Sequence, residues 1–378
     1  MLLGAVLRAV QLATSIGSVD AYFWSRHVEF AEKLGVLGAY QASRVINHPS
    51  LGLQIAVWTK QAGALFGLQL FDSFRILQST ADVVTAMALY VLGRRVSQET
   101  GVWLALAFFL SPTAIFVSAF HCNSDPMMVM FIVLAILAAA KDRPILAGLL
   151  IAAATGIKII AFPALPLILF AFRGWRARIR FLGTAALVGA LIFVPPLLVS
   201  GWIAIRNIFG YTGWRGAWGI PLVIDIVDLA FPRIAPKDPG GMVTPILILA
   251  LVSLWGREAW RARADHELDP ARLARVIGLA FLLVLFLAPG FGVQYLLWPL
   301  PYLAFLFRRK AALVLHGVIS VFVFWLYTSW AGEWPWVYAD GGHNSPGVAI
   351  FGLVVWAAIG WAAISAWRNL NRARPGAA

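Results

Sequence analysis

Charge is scarce in this sequence: Asp, Glu, Lys and Arg make up 12% of its 378 residues, against about 25% in an ordinary soluble domain. With 61% of the chain hydrophobic, too little polar surface remains to cover a soluble fold of this length. Cysteine is almost absent. The single Cys122 excludes an intramolecular disulfide and leaves the compartment undetermined. Acidic residues are the scarcer sign, 17 against 30 Lys and Arg, for a net charge of +13. A basic balance can mark nucleic-acid binding. Here, however, the basic residues fall in short loops between apolar runs, where they set membrane topology, so no nucleic acid is expected as a partner. A Gly-rich phosphate loop, an Asp-x-Asp pair and Cys/His groups at zinc spacing are all missing. Nothing therefore calls for ATP, a nucleotide sugar or a redox cofactor, and a bound divalent metal has no supporting pattern.

What is present is a succession of apolar runs, each of a length to cross roughly 30 Å of hydrocarbon. They are apolar on every side, without the alternation of a membrane barrel, so they read as helices. The expectation is an all-α polytopic membrane protein, one transmembrane domain over 1–378, without internal repeats. About twelve helices are expected, near 2–19, 72–92, 102–120, 126–140, 144–156, 159–172, 181–201, 243–256, 276–291, 295–307, 311–330 and 348–367. Those within 126–172 and 295–307 are short and read as half-spans or helices bent around a cavity. Met1–Gly17 lacks a small-x-small cleavage site and reads as an uncleaved first helix.

Basic residues orient the chain. Arg8, Arg94, Arg95, Lys141, Arg143, the Arg173–Arg180 cluster, Arg257, Arg272, Arg308, Arg309 and Arg368 all fall on one side of the alternating helices. The positive-inside rule then makes both termini cytoplasmic. The Arg173–Arg180 cluster has a second reading as an anionic-lipid site. Three segments fall outside: 20–71, 202–242 and 331–347. In the first, apolar residues from Ala21 to Leu37 share one helical face, as in a helix lying in the interface. Asn47-His48-Pro49 ends it, and a second interfacial helix follows from Ser50 to about Phe66.

Ionisable groups at a membrane boundary are costly and are functional candidates by default. In this topology several gather at one depth on the outer side: Asp20 after the first helix, His121, Asn123 and Asp125 in one turn, Lys158 between two short helices, and Gln294 with Tyr295 in another turn. Asp20 reads either as a helix cap or as a general base taking a proton from an acceptor hydroxyl. Asp125-Pro126 reads as a helix start, with Asp125 a second candidate for the acid–base role; a metal site here would need ligands from elsewhere. Lys158 either snorkels to the surface or holds a phosphate, where a cation stabilises developing charge. Arg206 and Arg215, in the second outer segment, could join such a clamp or be ordinary loop arginines.

Taken in order, these residues resemble the GT-C superfamily of multispanning glycosyltransferases. The resemblance runs from Asp20-Ala21-Tyr22-Phe23-Trp24 through Asn47-His48-Pro49-Ser50-Leu51, Gly93-Arg94-Arg95 and His121 to Asp125. It continues through Ala147-Gly148-Leu149 with Gly156-Ile157-Lys158 to Gln294-Tyr295-Leu296-Leu297-Trp298-Pro299, and so covers residues 1 to about 310. It implies a polyprenyl-phosphate sugar as donor and a hydroxyl of a glycan, glycolipid or protein as acceptor. The sugar would be a mannose-like hexose or a pentose. By the same resemblance Asp20 is the base, with Lys158 near the lipid phosphate and His48 among the substrate-binding residues. The family's common second acidic residue is replaced by Ala21. Transfer would take place with inversion on the outer face of a membrane, expected to be the bacterial cytoplasmic membrane, where no nucleotide sugar is available. The rival reading is a polytopic transporter or lipid flippase, for which Asp82 inside the second expected helix speaks most directly.

Overall fold

The computed structural model describes residues 1–15, 17–211, 213, 218–231, 239–263, 269–331 and 346–372. These form seventeen α-helices and two 3-10 turns, with no strand among the described residues. The first half runs α1 (Leu2–Thr14), α2 (Val19–Ala42), α3 (Ser50–Ala64), α4 (Leu70–Arg94), α5 (Gln98–Phe109), α6 (Pro112–Ala119), α7 (Asp125–Ala139) and α8 (Pro144–Ile157). A 3-10 turn (Ile159–Ala161), α9 (Ala164–Leu169), α10 (Trp175–Ser200), α11 (Trp202–Phe209) and α12 (Gly219–Ala230) follow. The last third holds α13 (Pro239–Ala262), α14 (Pro270–Leu287), a second 3-10 turn (Val293–Leu297), α15 (Leu300–Leu306), α16 (Arg309–Ala331) and α17 (Pro346–Arg372).

The boundaries follow local chemistry. Ser18 accepts from the Asp20 amide to cap α2, Ser97 caps α5 through Thr100, and Asp269 caps α14 ahead of Pro270. Ser111-Pro112 breaks the α5–α6 run into two arms bent by 52°. The carbonyls freed at such breaks need donors in a medium without water. Arg75, fully buried on α4, supplies them: its guanidinium donates to the carbonyls of Leu12 in α1 and Ala119 in α6, and to Ser15 Oγ and Asp72.

Each of the twelve expected segments carries helix, and six to eight crossings among the described residues are long and apolar enough to count as full ones. Six helices, α4, α10, α13, α14, α16 and α17, are long and apolar enough to cross a membrane, or eight crossings if α1–α2 and α5–α6 each count as one bent span. At about 1.5 Å per residue the thirteen residues of α1 reach only ~20 Å. The helices α7, α8, α9 and α15 are short, in line with the short segments expected there. The outer segment 202–242 is not simply a loop: it carries α11, α12 and the first turn of α13.

Arg8 corrects the charge count used for topology. It is not at a membrane surface but buried on α1, with Nη2 2.6 Å from Asp82 Oδ2 on α4. Some of the other basic ends meet partners on neighbouring helices. Arg309 at the start of α16 meets Glu99 at the start of α5 (2.5 Å). Arg257 near the end of α13 reaches Asn371 at the end of α17 (3.0 Å), and the buried Glu258 pairs with Arg272 at the start of α14.

Small residues allow α4 and α5 to cross closely. A Cβ on Gly101 of α5 would stand 2.7 Å from the Tyr90 carbonyl, and one on Gly93 of α4 would stand 2.7 Å from Gly101 Cα. Gly101→Val is therefore expected to lower the thermal midpoint of the purified protein, by the equivalent of about 1–3 kcal/mol of overpacking. Gly183→Ala on α10, whose added Cβ meets nothing within 4 Å, should leave it unchanged or higher. Equal midpoints for the two variants would refute this crossing.

Candidate active site

Four chain breaks build the site. The first is the join between α1 and α2. Ser18, not Asp20, caps α2, so the Asp20 carboxylate is free to face inward from the first turn. Ser18 Oγ in turn donates to the His121 carbonyl (2.6 Å), fixing this join to the second break, the turn between α6 and α7. There Cys122 has a left-handed backbone (φ 63°), uncommon for a residue with a side chain. With the chain reversed at that point, its two neighbours reach the same group. Asn123 Nδ2 donates to Asp20 Oδ2 at 2.5 Å, and His121 Nε2 lies 3.2 Å from the same oxygen, off the axis of a hydrogen bond. Among the described residues Asp20 Oδ1 has no hydrogen-bond partner, and 23% of the side chain is open. In the topology expected from the sequence, Asp20 heads the first outer segment, beyond the first membrane helix. Burial raises its pKa, but His121, Asn123 and the more distant Lys158 outweigh that and hold the carboxyl below its ordinary value.

The third break ends α8 at Ile157 and leaves Lys158 extended (φ −150°) before the 3-10 turn. Its ammonium donates to Asp125 Oδ2 (2.7 Å) and lies over the rings of Tyr295 (4.9 Å) and Trp298 (5.7 Å). The fourth break, the 3-10 turn Val293–Leu297, presents those two rings, stacked 4.2 Å apart. Trp298 Nε1 donates to Asp125 Oδ1 at 2.5 Å. Both oxygens of the fully buried Asp125 are thus taken, one by Lys158 and one by Trp298. That arrangement holds an ammonium in place and gives no free base.

Asp20, Asn123, Lys158, Gln294, Tyr295 and His48 all line one cavity of about 490 Å³. His121 and Asp125 sit behind its wall, each touching a residue that lines it. Arg206 lies on α11 with its side chain exposed, away from the cavity walls. Arg215 lies outside the described residues. Among the described residues no three His, Cys, Asp or Glu side chains converge to hold a metal ion.

Several wall residues were not singled out from the sequence. Trp298 stood inside a quoted motif without a role. His27 sits seven residues after Asp20, two helical turns along the same face of α2. Trp24, Arg44, Asn47 and Tyr211 complete this part of the lining. Asp82, the residue that spoke most directly for a transporter, is paired with Arg8 through Oδ2. It accepts from Arg8 at 2.6 and 3.1 Å, and Arg8 also donates to the carbonyls of Gly4 and Phe109.

The model of glycosyltransferase family 87 matches residues 61–289, well over half of the chain, and takes in Asn123, Asp125, Lys158 and Tyr211. The chain belongs to glycosyltransferase family 87. This is a membrane glycosyltransferase family of the GT-C type, so the resemblance drawn from the motifs holds and the protein is an integral membrane glycosyltransferase. Membership decides between transferase and transporter in favour of the transferase. No curated protein matches the chain. Asp20, His48, Gln294 and Tyr295 lie outside the matched stretch, so the cavity is built from the matched stretch and the segments on either side of it.

Proposed function

We propose that this transferase moves a sugar from a polyprenyl-phosphate carrier to an acceptor hydroxyl, with inversion, in the cavity between Asp20 and Lys158. The observation that carries this reading is the pairing, in one cavity, of a carboxylate with a free oxygen and an ammonium held over two aromatic rings. The phosphate of the donor would meet Lys158, whose charge is fixed by Asp125 and Trp298 and so needs no reorganisation during the reaction. The acceptor oxygen attacks the anomeric carbon from the face opposite the phosphate. The new C–O bond forms as the anomeric carbon–phosphate oxygen bond breaks, polyprenyl phosphate leaves with the electron pair, and the acceptor's proton passes to Asp20. A carboxyl held below its ordinary pKa is a weak base. It fits a proton that departs late, once bonding to the anomeric carbon has made the acceptor oxygen acidic.

The donor is lipid-borne because the site faces the extracytoplasmic side in this reading, with both termini cytoplasmic. The helix ends gathered by Arg309–Glu99, Arg257–Asn371 and Arg272–Glu258 support that orientation through the positive-inside rule. A mannose-like hexose, a bacterial cell-envelope setting and a glycan or glycolipid acceptor belong to the same proposal. Arg215 belongs to this proposal as a phosphate partner by its place in the sequence alone.

The test is consumption of radiolabelled polyprenyl-phosphate mannose, glucose, galactose and arabinose by the purified protein in detergent. Turnover of at least one is expected. Lys158→Ala should raise the donor KM roughly tenfold or more, since a charge-assisted hydrogen bond to phosphate contributes about 1.5–3 kcal/mol. Turnover of none, by protein shown to be folded, would overturn the lipid-phosphate donor. An unchanged donor KM in Lys158→Ala would remove Lys158 from phosphate binding.

A further inference from the structure

Two imidazoles in the cavity wall have no part in the chemistry above. His27, on the face of α2 that also carries Asp20, is 4% exposed, and His48, in the turn before α3, is 9% exposed. Both rings are locked by packing on Trp24. His48 stacks on the indole at 4.5 Å, His27 meets its edge at 5.8 Å, and the two imidazoles are 6.3 Å apart. Each ring bonds to backbone, His27 at Val45 and His48 at Ile157, while Nδ1 of each has no hydrogen-bond partner among the described residues. Both residues line the cavity, so two rigid imidazoles side by side there, each with one nitrogen still unpaired, are placed to meet a ligand's polar groups.

Their position says which part of the ligand. His48 contacts the residue before Lys158 and feels the charges of both Lys158 and Asp20, while His27 feels Asp20. The pair thus runs from the phosphate side of the cavity to the base side. In an in-line displacement the leaving phosphate and the acceptor oxygen flank the transferred sugar, so groups that span the two sides border that sugar.

We propose that His27 and His48 are the specificity-determining pair for the transferred sugar, reading two of its ring hydroxyls through their imidazole nitrogens. The assignment rests on the lipid-phosphate-sugar reading of the cavity. Burial keeps both rings neutral near pH 7, with His27 down at about 4 and His48 well below its ordinary value. With one side of the ring bonded to backbone, each neutral imidazole has a single nitrogen left for one hydroxyl and no charge to draw an anion. Rings fixed by Trp24 also read an equatorial or axial hydroxyl more strictly than a mobile side chain would.

The experiment compares kcat/KM for the same four polyprenyl-phosphate sugars, following donor consumption by transfer or by hydrolysis so that the acceptor does not enter. His27→Phe and His48→Phe keep a ring against Trp24 and remove the nitrogens. Wild type should favour one sugar. Each variant should shrink that preference roughly tenfold or more, because leaving a hydroxyl unpaired in a buried site costs about 1–3 kcal/mol. His48→Gln should restore part of it. A merely structural role would lower all four rates together and leave their ratios intact, and intact ratios in both variants overturn the proposal. So does a wild type that consumes all four sugars alike. A folded wild type that consumes none of them overturns the donor reading itself, and this pair with it.

Discussion

Asp20→Asn is expected to lower sugar transfer by about 10²–10⁴-fold, the usual contribution of a general base, while thermal stability and donor KM stay near wild type. The separation is possible because of what Asp20 does not do. Ser18 caps α2, so the helix start does not depend on the Asp20 carboxylate. Asn can still bond to Asn123 after a turn of its amide, and it removes only the ability to take the proton. Holding the carboxyl below its ordinary value also sets the pH dependence. The ionised base is present at neutral pH and through mild acid, and transfer should fall only once the pH drops through a value under the usual carboxylate range. Transfer assays on the intact variant, beside a thermal-shift measurement, decide the matter. Near-normal transfer by a folded Asp20→Asn protein would remove Asp20 from the mechanism. Asp125 is a poor substitute, since Lys158 and Trp298 hold both its oxygens.

What could be read in the sequence follows from how rare polar groups are in it. In a chain with this little charge, each polar or ionisable residue at the edge of an apolar run stands out. Asp20, Asn123 and Lys158 could therefore be picked out before anything was known of their distance, and all three line the cavity. The same rule picked Arg206, because a polar residue in an outer segment advertises itself whatever its direction. The helical turn of α11 points it away. Aromatic residues carry the opposite problem. With 17 tryptophans in the sequence, nothing local marks Trp298 as the donor to Asp125 or Trp24 as the platform for two histidines. Those roles depend on contacts 173 residues apart in one case and on the register of α2 in the other.

The helices themselves were legible because an apolar run must close its own backbone bonds. Their number of crossings was not. Whether a bent pair such as α5–α6 makes one span or two half-spans depends on the tertiary path. Arg8 failed for a related reason: counting charges by loop cannot see a partner 74 residues away.

That partner gives the second large expected effect. Arg8→Leu should destabilise the protein by about 3–5 kcal/mol, because it leaves the fully buried Asp82 carboxylate without its counter-charge. Asp82→Leu should do the same to the guanidinium, despite the carbonyls of Gly4 and Phe109 and the ring of Phe109 that also receive it. The double variant should be far less affected than the sum of the two, since an apolar pair of similar volume can replace a buried ion pair at little cost. Asp82 stands twelve residues from either end of α4, about 18 Å from each by helix rise, and so at mid-depth, away from the cavity. The double variant should accordingly keep wild-type transfer per folded molecule. An ion pair that carried a proton or a substrate through the bundle could not be replaced by leucines in this way. A stable double variant that has lost transfer would show that the pair acts in turnover and not only in tying α1 to α4, whereas additive losses in a thermal-shift cycle would show that the two charges do not depend on each other.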